Sequence, residues 1–190
     1  GRSTVWGANG AAATAHPAAT MIGLDTLRRG GSAIDAAIAI NAALGFLEPT
    51  ANGIGGDAFC LMWDPAQKKV VGFNGSGASP RGLSLAAARS KAGADGYLPR
   101  YGAVTVNVPG TVDAWWSAHQ RYGKLPWKDV LLPVAELCEQ GVPVPQVVAY
   151  YLERGMANFD KSAATIEEND NRKKVWLTGG RTPKTGEIFA

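Results

Sequence analysis

The run AIDAAIAINAALGFL, from Ala33 to Leu47, is the strongest constraint on what this chain can become. It is rich in good helix formers, and its only polar side chains are Asp35 and Asn41. A helix that is apolar almost all round has no face to give to water, so it must be buried between layers. Its small side chains also let neighbouring backbones come close. Ser32 followed by Asp35 is a capping-box-like start, with aspartate in place of the usual Glu or Gln. Glu48 precedes Pro49 and should therefore leave the helix.

The elements on either side follow from the same kind of reading. PAATMIGLDTLRRG, Pro17 to Gly30, carries Met21, Leu24 and Leu27 at helical spacing, with proline at the opening and Arg28-Arg29 near the closing end. Gly30-Gly31 stops it. After the second helix comes a glycine loop, EPTANGIGGD, and then a change to extended structure. Ala58 to Trp63 and Lys69 to Phe73 read as two strands joined by DPAQKK, which has Asp and Pro where a turn wants them. Their apolar content predicts strands covered on at least one face. A second small-residue loop, NGSGASPRG, leads to a helical patch from Leu83 to Lys91. A short strand is predicted over Val104 to Val108. Thr111 is expected to cap a helix ending at Gly123, and a further helix spans Trp127 to Gln140, stopping at Gly141. The last third is more polar, with a single strand-like VWL at Val175 to Leu177 and a turn-rich tail. Ile188 and Phe189 read as leading onward, so the sequence is expected to be a fragment or one chain of a processed protein.

Composition sharpens the buried-helix argument. With 190 residues and 46% hydrophobic content, the chain suffices for one ordinary domain or part of a larger one. Its 18% charged content lies below the roughly 25% of soluble domains, and it has 24 glycines. Such a chain is expected to hide some of its faces against a partner. The net charge is +3 with basic residues scattered, so no nucleic-acid surface is expected. No apolar run approaches the ~18 residues of a membrane span. The start GRSTVWGANG lacks the apolar region of an export signal. The chain is thus expected to be soluble, with the compartment open and the cytoplasm favoured over the periplasm. Cys60 and Cys138 read as two reduced, buried thiols rather than a disulfide.

Reactive groups are few. His16, in TAHPAAT, is a candidate base, although a histidine before a proline-started helix is more often a cap or a packed ring. His119 reads as surface or core. Two histidines and no Cys-His spacing leave no metal site in view, and no cofactor is expected. No GxSxG elbow is present, and GIGG matches neither phosphate-cradling glycine motif. It also ends on Asp57, which would repel a phosphate; a nucleotide-binding α/β domain is therefore a weak third reading. Glu167-Glu168 with Asp170 reads as a solvated face, and Asp25 and Asp35 as capping and dipole residues. These residues describe a layered α/β piece with two glycine loops near one sheet end and do not by themselves name a reaction.

The succession of motifs does more. His16-Pro17, Gly30-Gly31-Ser32-Ala33-Ile34-Asp35-Ala36-Ala37, Glu48-Pro49 and Gly53-Ile54-Gly55-Gly56 resemble the opening of the gamma-glutamyltranspeptidase family. The similarity continues through VNVPGTVDAW, YGKLPW and LLPVAELCEQGVPV, and so covers nearly the whole chain. The resemblance implies an α/β N-terminal nucleophile hydrolase, an αββα four-layer sandwich completed by a second chain, with residues 1–190 forming the N-terminal portion of the large subunit of one such domain. It implies a precursor that cuts itself, and a threonine at the head of the small subunit whose own α-amino group is the base. No catalytic residue is then expected in this chain, which begins at Gly1 and would end before the cleavage point; Ser3 and Thr4 are no substitutes. The implied partners are the small subunit, as a heterodimer or dimer of heterodimers, and a small-molecule amide.

One stretch bears on substrate. Where gamma-glutamyl enzymes carry an arginine in DGRE-x-AP to hold the substrate's carboxylate, this sequence has NGSGASP, Asn74 to Pro80, with Ser76 in the arginine's place. Asn74 and Ser76 are the expected substrate-binding residues. A hydroxyl offers one neutral donor where a guanidinium offers two charged ones, and Arg81 lies five residues on. The implied activity is an amidohydrolase or acyltransferase that cleaves a gamma-glutamyl or other acyl amide through an acyl-enzyme on that threonine, with glutathione disfavoured, resembling the branch with cephalosporin acylases and oxamate amidohydrolases. The alternative is a non-catalytic scaffold or binding module of the same fold. The loop from Asn52 to Asp57 either leaves room for substrate beside the partner's threonine, or is a tight connection needing positive φ; both can hold together.

Overall fold

The computed structural model describes residues 3–190; Gly1, where the sequence starts, lies outside the described residues. Helix α1 (Pro17–Arg28) begins as Pro17 predicts, and His16 is its N-cap, with Nδ1 accepting from the Ala18 N–H at 3.2 Å. Of the two readings of His16, the cap is the one the geometry takes. Gly30, at φ 90°, turns the chain into α2 (Ala33–Leu47). The two helices pack side by side through small residues, with Gly23 against Ile40 and Ala19 and Ala43 fully buried.

The capping box at Ser32 forms as the sequence implies: Asp35 N–H donates to Ser32 Oγ at 3.1 Å and Ser32 N–H to Asp35 Oδ2 at 2.8 Å. Asp35 does more than cap. Its Oδ2 also accepts the backbone N–H groups of Lys124 at 2.9 Å and Leu125 at 3.2 Å, with the side chain 0% exposed. Burial pushes its carboxyl up, but the N–H groups of Ser32, Lys124 and Leu125 and the Ser32 hydroxyl together hold it below the ordinary value. One carboxylate therefore ties the start of α2 to the turn between α4 (Thr111–Tyr122) and α5 (Trp127–Gln140).

Those two helices lie against α2. Ile34, Ile38, Ala39, Trp115, Ala118 and Val130 form the central core, and Asn41 Oδ1 accepts from Trp115 Nε1 at 2.9 Å. Pro133 sits inside α5 and has no N–H for the carbonyl of Asp129. Arg29, just past the end of α1, donates to that carbonyl at 3.1 Å. The gap made by the proline is thus used to join α1 to α5. His119 is part of the same scaffold: its Nε2 lies 2.9 Å from the Leu125 carbonyl and 3.7 Å from Asp35 Oδ1, and its ring lies against Trp116 and Trp127.

The sheet layer is an antiparallel hairpin, β1 (Ala58–Asp64) paired with β2 (Lys69–Gly75) in the register Ala58 to Gly75 and Asp64 to Lys69. Both strands run one or two residues beyond their predicted ends. Buried Asp64 fixes the turn, accepting from the N–H groups of Ala66 and Gln67, Gln67 Nε2 and Tyr122 Oη. The Gln67 N–H is the largest influence holding its carboxyl below the usual range. Lys68 closes the turn at φ 51°. Cys60, Met62 and Phe73 face the helices, whereas Phe59 is 66% exposed, Leu61 81%, Trp63 59% and Val70 62%. With helices on one side and no described element on the other, the described residues make one helix layer and one sheet layer.

Four expectations fail, each for a local reason. Val104–Val108 is not a strand: Ala103–Thr105 is a single 3-10 turn, with Thr105 Oγ1 donating to the Gly102 carbonyl, and only Val108 bridges, to Ala78. The β-branched run meets no neighbouring strand before Pro109 removes a donor. Val175–Leu177 is the last turn and C-cap of α7 (Asn169–Trp176), where Arg172, bound to Asn169, Met156 and Asp160, outweighs a three-residue propensity. Thr111 is the first helical residue of α4 rather than its cap, and its buried Oγ1 has no partner among the described residues. The patch at Leu83–Lys91 shrinks to α3 (Leu85–Ser90), capped by Ser84. Helix α6 (Gln146–Lys161) was not predicted, because VVAYYL is locally strand-like; burial of Val148, Leu152 and Met156 decides it.

At the far end, β3 (Val142–Pro143) pairs with β4 (Ile188–Phe189), and Phe189 stacks on both Phe46 and Trp176. Arg181 grips Glu187 with two bonds of 2.8 Å and holds its carboxyl down at about 2. Both cysteines are free and half-buried. Among the described residues no helix is long and apolar enough to cross a membrane. The chain exposes 12589 Å². A compact monomer of this length exposes about 8,700 Å².

Candidate functional site

The two glycine loops meet at the start of α4. The Gly56 carbonyl accepts the N–H groups of Gly110 at 3.0 Å and Thr111 at 3.1 Å, so the first loop supplies the backbone cap that Thr111 does not. From the other side, Gly75 and Gly77 crowd Gly110: a Cβ on Gly110 would meet the Gly75 carbonyl and the Gly77 nitrogen, and one on Gly77 would meet the Val108 carbonyl. Gly77 also sits at φ 75°. Here glycine is required twice over, by conformation and by space.

The loop from Asn52 to Asp57 is different. Gly53, Gly55 and Gly56 are outside the left-handed region, and a Cβ on any of them would meet no atom within 4 Å. The expectation of a tight connection needing positive φ is therefore wrong for these glycines; extended or right-handed backbone satisfies the turn. Nothing in this chain's own packing demands their lack of side chains.

Asn74 and Ser76 lie where β2 runs into the second loop. Ser76 N–H donates to Asn74 Oδ1 at 3.1 Å, an Asx turn, so one end of the Asn74 carboxamide is committed to backbone. Ser76 is half-buried and its Oγ makes no hydrogen bond among the described residues. Asn107 Nδ2 reaches the Ser76 carbonyl at 3.5 Å. Asn107 was not singled out from sequence; its place just before Pro109-Gly110, where the chain must enter a helix beside a second glycine loop, is the signal that could have found it.

Between α2, α4 and β1 the chain leaves a cleft of about 420 Å³, lined among others by Asn41, Asn52, Asp57, Phe59, Cys60 and Trp115. Neither Asn74 nor Ser76 lines it. Burial pushes the Cys60 thiol up, away from the thiolate that nucleophilic chemistry needs. His16 caps α1, His119 packs between tryptophans, and neither is among the residues lining the cleft. Among the described residues no three His, Cys, Asp or Glu side chains are grouped to hold a metal ion. The site offers shaped backbone, the free Ser76 hydroxyl and, apart from it, a mainly apolar cleft with Asn41, Asn52 and Asp57 in its wall, and among the described residues no nucleophile–base pair lies inside that cleft.

Comparison with known proteins agrees with this arrangement. Residues 19–190 match the family model described as Gamma-glutamyltranspeptidase. The chain is 33% identical over 187 residues to a glutathione hydrolase proenzyme of Bacillus subtilis, covering 96% of this chain and 30% of that protein. It superposes on the gamma-glutamyltranspeptidase of Helicobacter pylori with a TM-score of 0.84 at 26% identity, over 99% of this chain and 52% of that one. It superposes on a cephalosporin acylase of Bacillus halodurans with a TM-score of 0.81 at 40% identity, over 91% of this chain and 32% of that one. The chain thus spans less than a third of the length of the first curated relatives it matches. The order of its motifs, its helix-on-hairpin layers with the N-terminal nucleophile hydrolase fold, and these matches together establish that the chain belongs to the gamma-glutamyltranspeptidase family of amide-cleaving enzymes.

Proposed function

We propose that residues 1–190 are the N-terminal portion of the large segment of a self-processing amide hydrolase or acyltransferase, and that its nucleophile is a threonine heading a second segment. The observation that carries this reading is surface. The exposed area exceeds that of a compact monomer by about 3,900 Å², more than one partner's half of a typical obligate interface. Part of it is the outer face of the β1–β2 hairpin, with Phe59, Leu61, Trp63 and Val70 exposed, which a second sheet would cover to complete four layers. The names of the relatives, a hydrolase proenzyme, a transpeptidase and an acylase, supply the chemistry and the processing.

In this reading the threonine hydroxyl gives its proton to its own α-amine, whose pKa near 7.7–8.0 suits the task at neutral pH. The oxygen attacks the amide carbonyl, the C–N bond breaks, and the leaving amine departs with that proton. Water or a second amine then attacks the resulting ester and frees the threonine. This chain's share is positioning. Asn74 and Asn107 hold the Ser76 backbone, and the unpaired Ser76 hydroxyl faces substrate as a neutral donor. A charged grip contributes roughly 1.5–3 kcal/mol per bond, so a hydroxyl there disfavours gamma-glutamyl donors about tenfold or more.

The test uses the full-length protein. Mass spectrometry should find two co-purifying polypeptides, the second beginning with threonine, and changing that threonine to alanine should stop both processing and amide hydrolysis. A single uncut polypeptide that never hydrolyses an amide overturns the proposal. In a panel of glutathione, glutaryl amides and oxamate, glutathione should be the poor substrate; a clear preference for it overturns the role given to Ser76.

A further inference from the structure

The loop after α2 borders two clefts, not one. Asn52 and Asp57 line the cleft already described, while Pro49, Thr50 and Ala51 form one wall of another, about 730 Å³, on the side of α6. The two differ in charge. The first has Asp57 and no cation in its lining; the second has Arg100 and Arg154 and no acidic side chain. Four aromatic side chains, Tyr101, Tyr151, Phe159 and Trp176, complete its walls.

Most arginines outside this cleft are occupied. Arg28, Arg172 and Arg181 are paired with Asp25, Asp160 and Glu187, and Arg29 holds the Asp129 carbonyl. Arg100 and Arg154 have neither a hydrogen bond nor an ion pair among the described residues, and Arg100 only leans over the Tyr101 ring with its Cζ 5.7 Å from the centroid. Arg81, Arg89 and Arg121 also have no hydrogen bond or ion pair among the described residues, Arg121 leaning over the Tyr122 ring at 5.2 Å, but none of the three lines this aromatic cleft. Tyr101 meets Phe159 edge-on at 5.1 Å, and Arg172, itself neutralised by Asp160, braces the Phe159 ring from 5.5 Å. The aromatic wall is therefore fixed by its own packing, while two guanidinium groups stand at its rim without partners.

From this we infer that the cleft of Arg100 and Arg154 is a binding site for a small organic carboxylate with a flat apolar body. A guanidinium pairs with a carboxylate through two parallel charge-assisted bonds, and an aromatic-walled cleft of about 730 Å³ has room for a flat ring-bearing body. This site rests on the proposed function, in which the carboxylate it takes belongs to the amide substrate or its acid product, and it acts in addition to the Ser76 contact.

The experiment titrates the full-length, processed protein with benzoate and with benzamide, followed by calorimetry. Benzoate should bind at least about tenfold more tightly than its uncharged amide. R100Q and R154Q should each weaken benzoate about tenfold, and the double variant should bind both probes alike, with an unchanged circular dichroism spectrum showing that the fold persists. Raising salt should weaken benzoate and leave benzamide unchanged. Equal affinity for both probes in the unmodified protein, absence of benzoate binding, or binding indifferent to the double variant each overturns the site. Processing and hydrolysis of an uncharged amide by the unmodified protein, measured in parallel, report separately on the proposed function.

Discussion

Asp35 is the residue on which most of the helical layer converges, and its two roles differ in how visible they are. The cap is legible in SAID, because Ser and Asp three apart satisfy each other's backbone donors. The bonds to Lys124 and Leu125 span 89 and 90 residues and have no local pattern. Asp35→Asn keeps the shape and loses the charge; it should lower stability by about 3 kcal/mol, read from the urea midpoint, because several N–H groups lose a charged acceptor in a dry place. Since the folded carboxyl titrates below its unfolded value, this contribution is present above about pH 4 and is lost as pH falls through the folded pKa, so the variant's acid unfolding should be flatter there. Lys68 is the opposite case, a residue in a conformation it disfavours. Lys68→Asn, which tolerates left-handed backbone better, should raise the thermal midpoint, by an amount worth up to about 1 kcal/mol.

Element by element, the well-read parts were those with punctuation: Pro17, the Gly30-Gly31 stop, the Asp64-Pro65 turn, and Gly141 at φ 72° after α5. The misread ones were short β-branched runs whose state depends on what lies beside them, as at Val104 and Val175. Glycine loops were legible as loops but not in their reasons. Gly77→Ala should cost about 1–2 kcal/mol for the left-handed backbone alone, plus the clash with Val108, whereas Gly55→Ala in the isolated chain should fall within about 0.5 kcal/mol of neutral. Paired chemical denaturation of the two variants checks this contrast. Pro133 yields a less obvious expectation. Pro133→Ala restores a helix-internal donor but competes with Arg29 for the Asp129 carbonyl, so the gain should fall short of the ~3 kcal/mol that helix propensity alone suggests. In an Arg29→Ala background the same change should gain more, and that difference is the measurement.

For the molecule as a whole, the fold class could be read from the buried helix and the motif order, but the substrate residues could not. Ser76 is named only by what it replaces, and the Arg100 and Arg154 cleft is assembled from two loops and the helices α6 and α7, far apart in sequence. The low charge content did foretell faces that want covering, and the 12589 Å² of exposed surface gives that its size. On the proposed function, folding is finished by contact with a second segment, tethered before processing and free afterwards. Heating should therefore unfold the uncut precursor reversibly but the processed protein irreversibly, with an apparent midpoint that climbs with scan rate; calorimetry at two rates decides it. On that reading, a chain that leaves so much of itself to be covered has exchanged the ability to refold alone for a clock, and its working lifetime becomes a matter of how slowly two halves part.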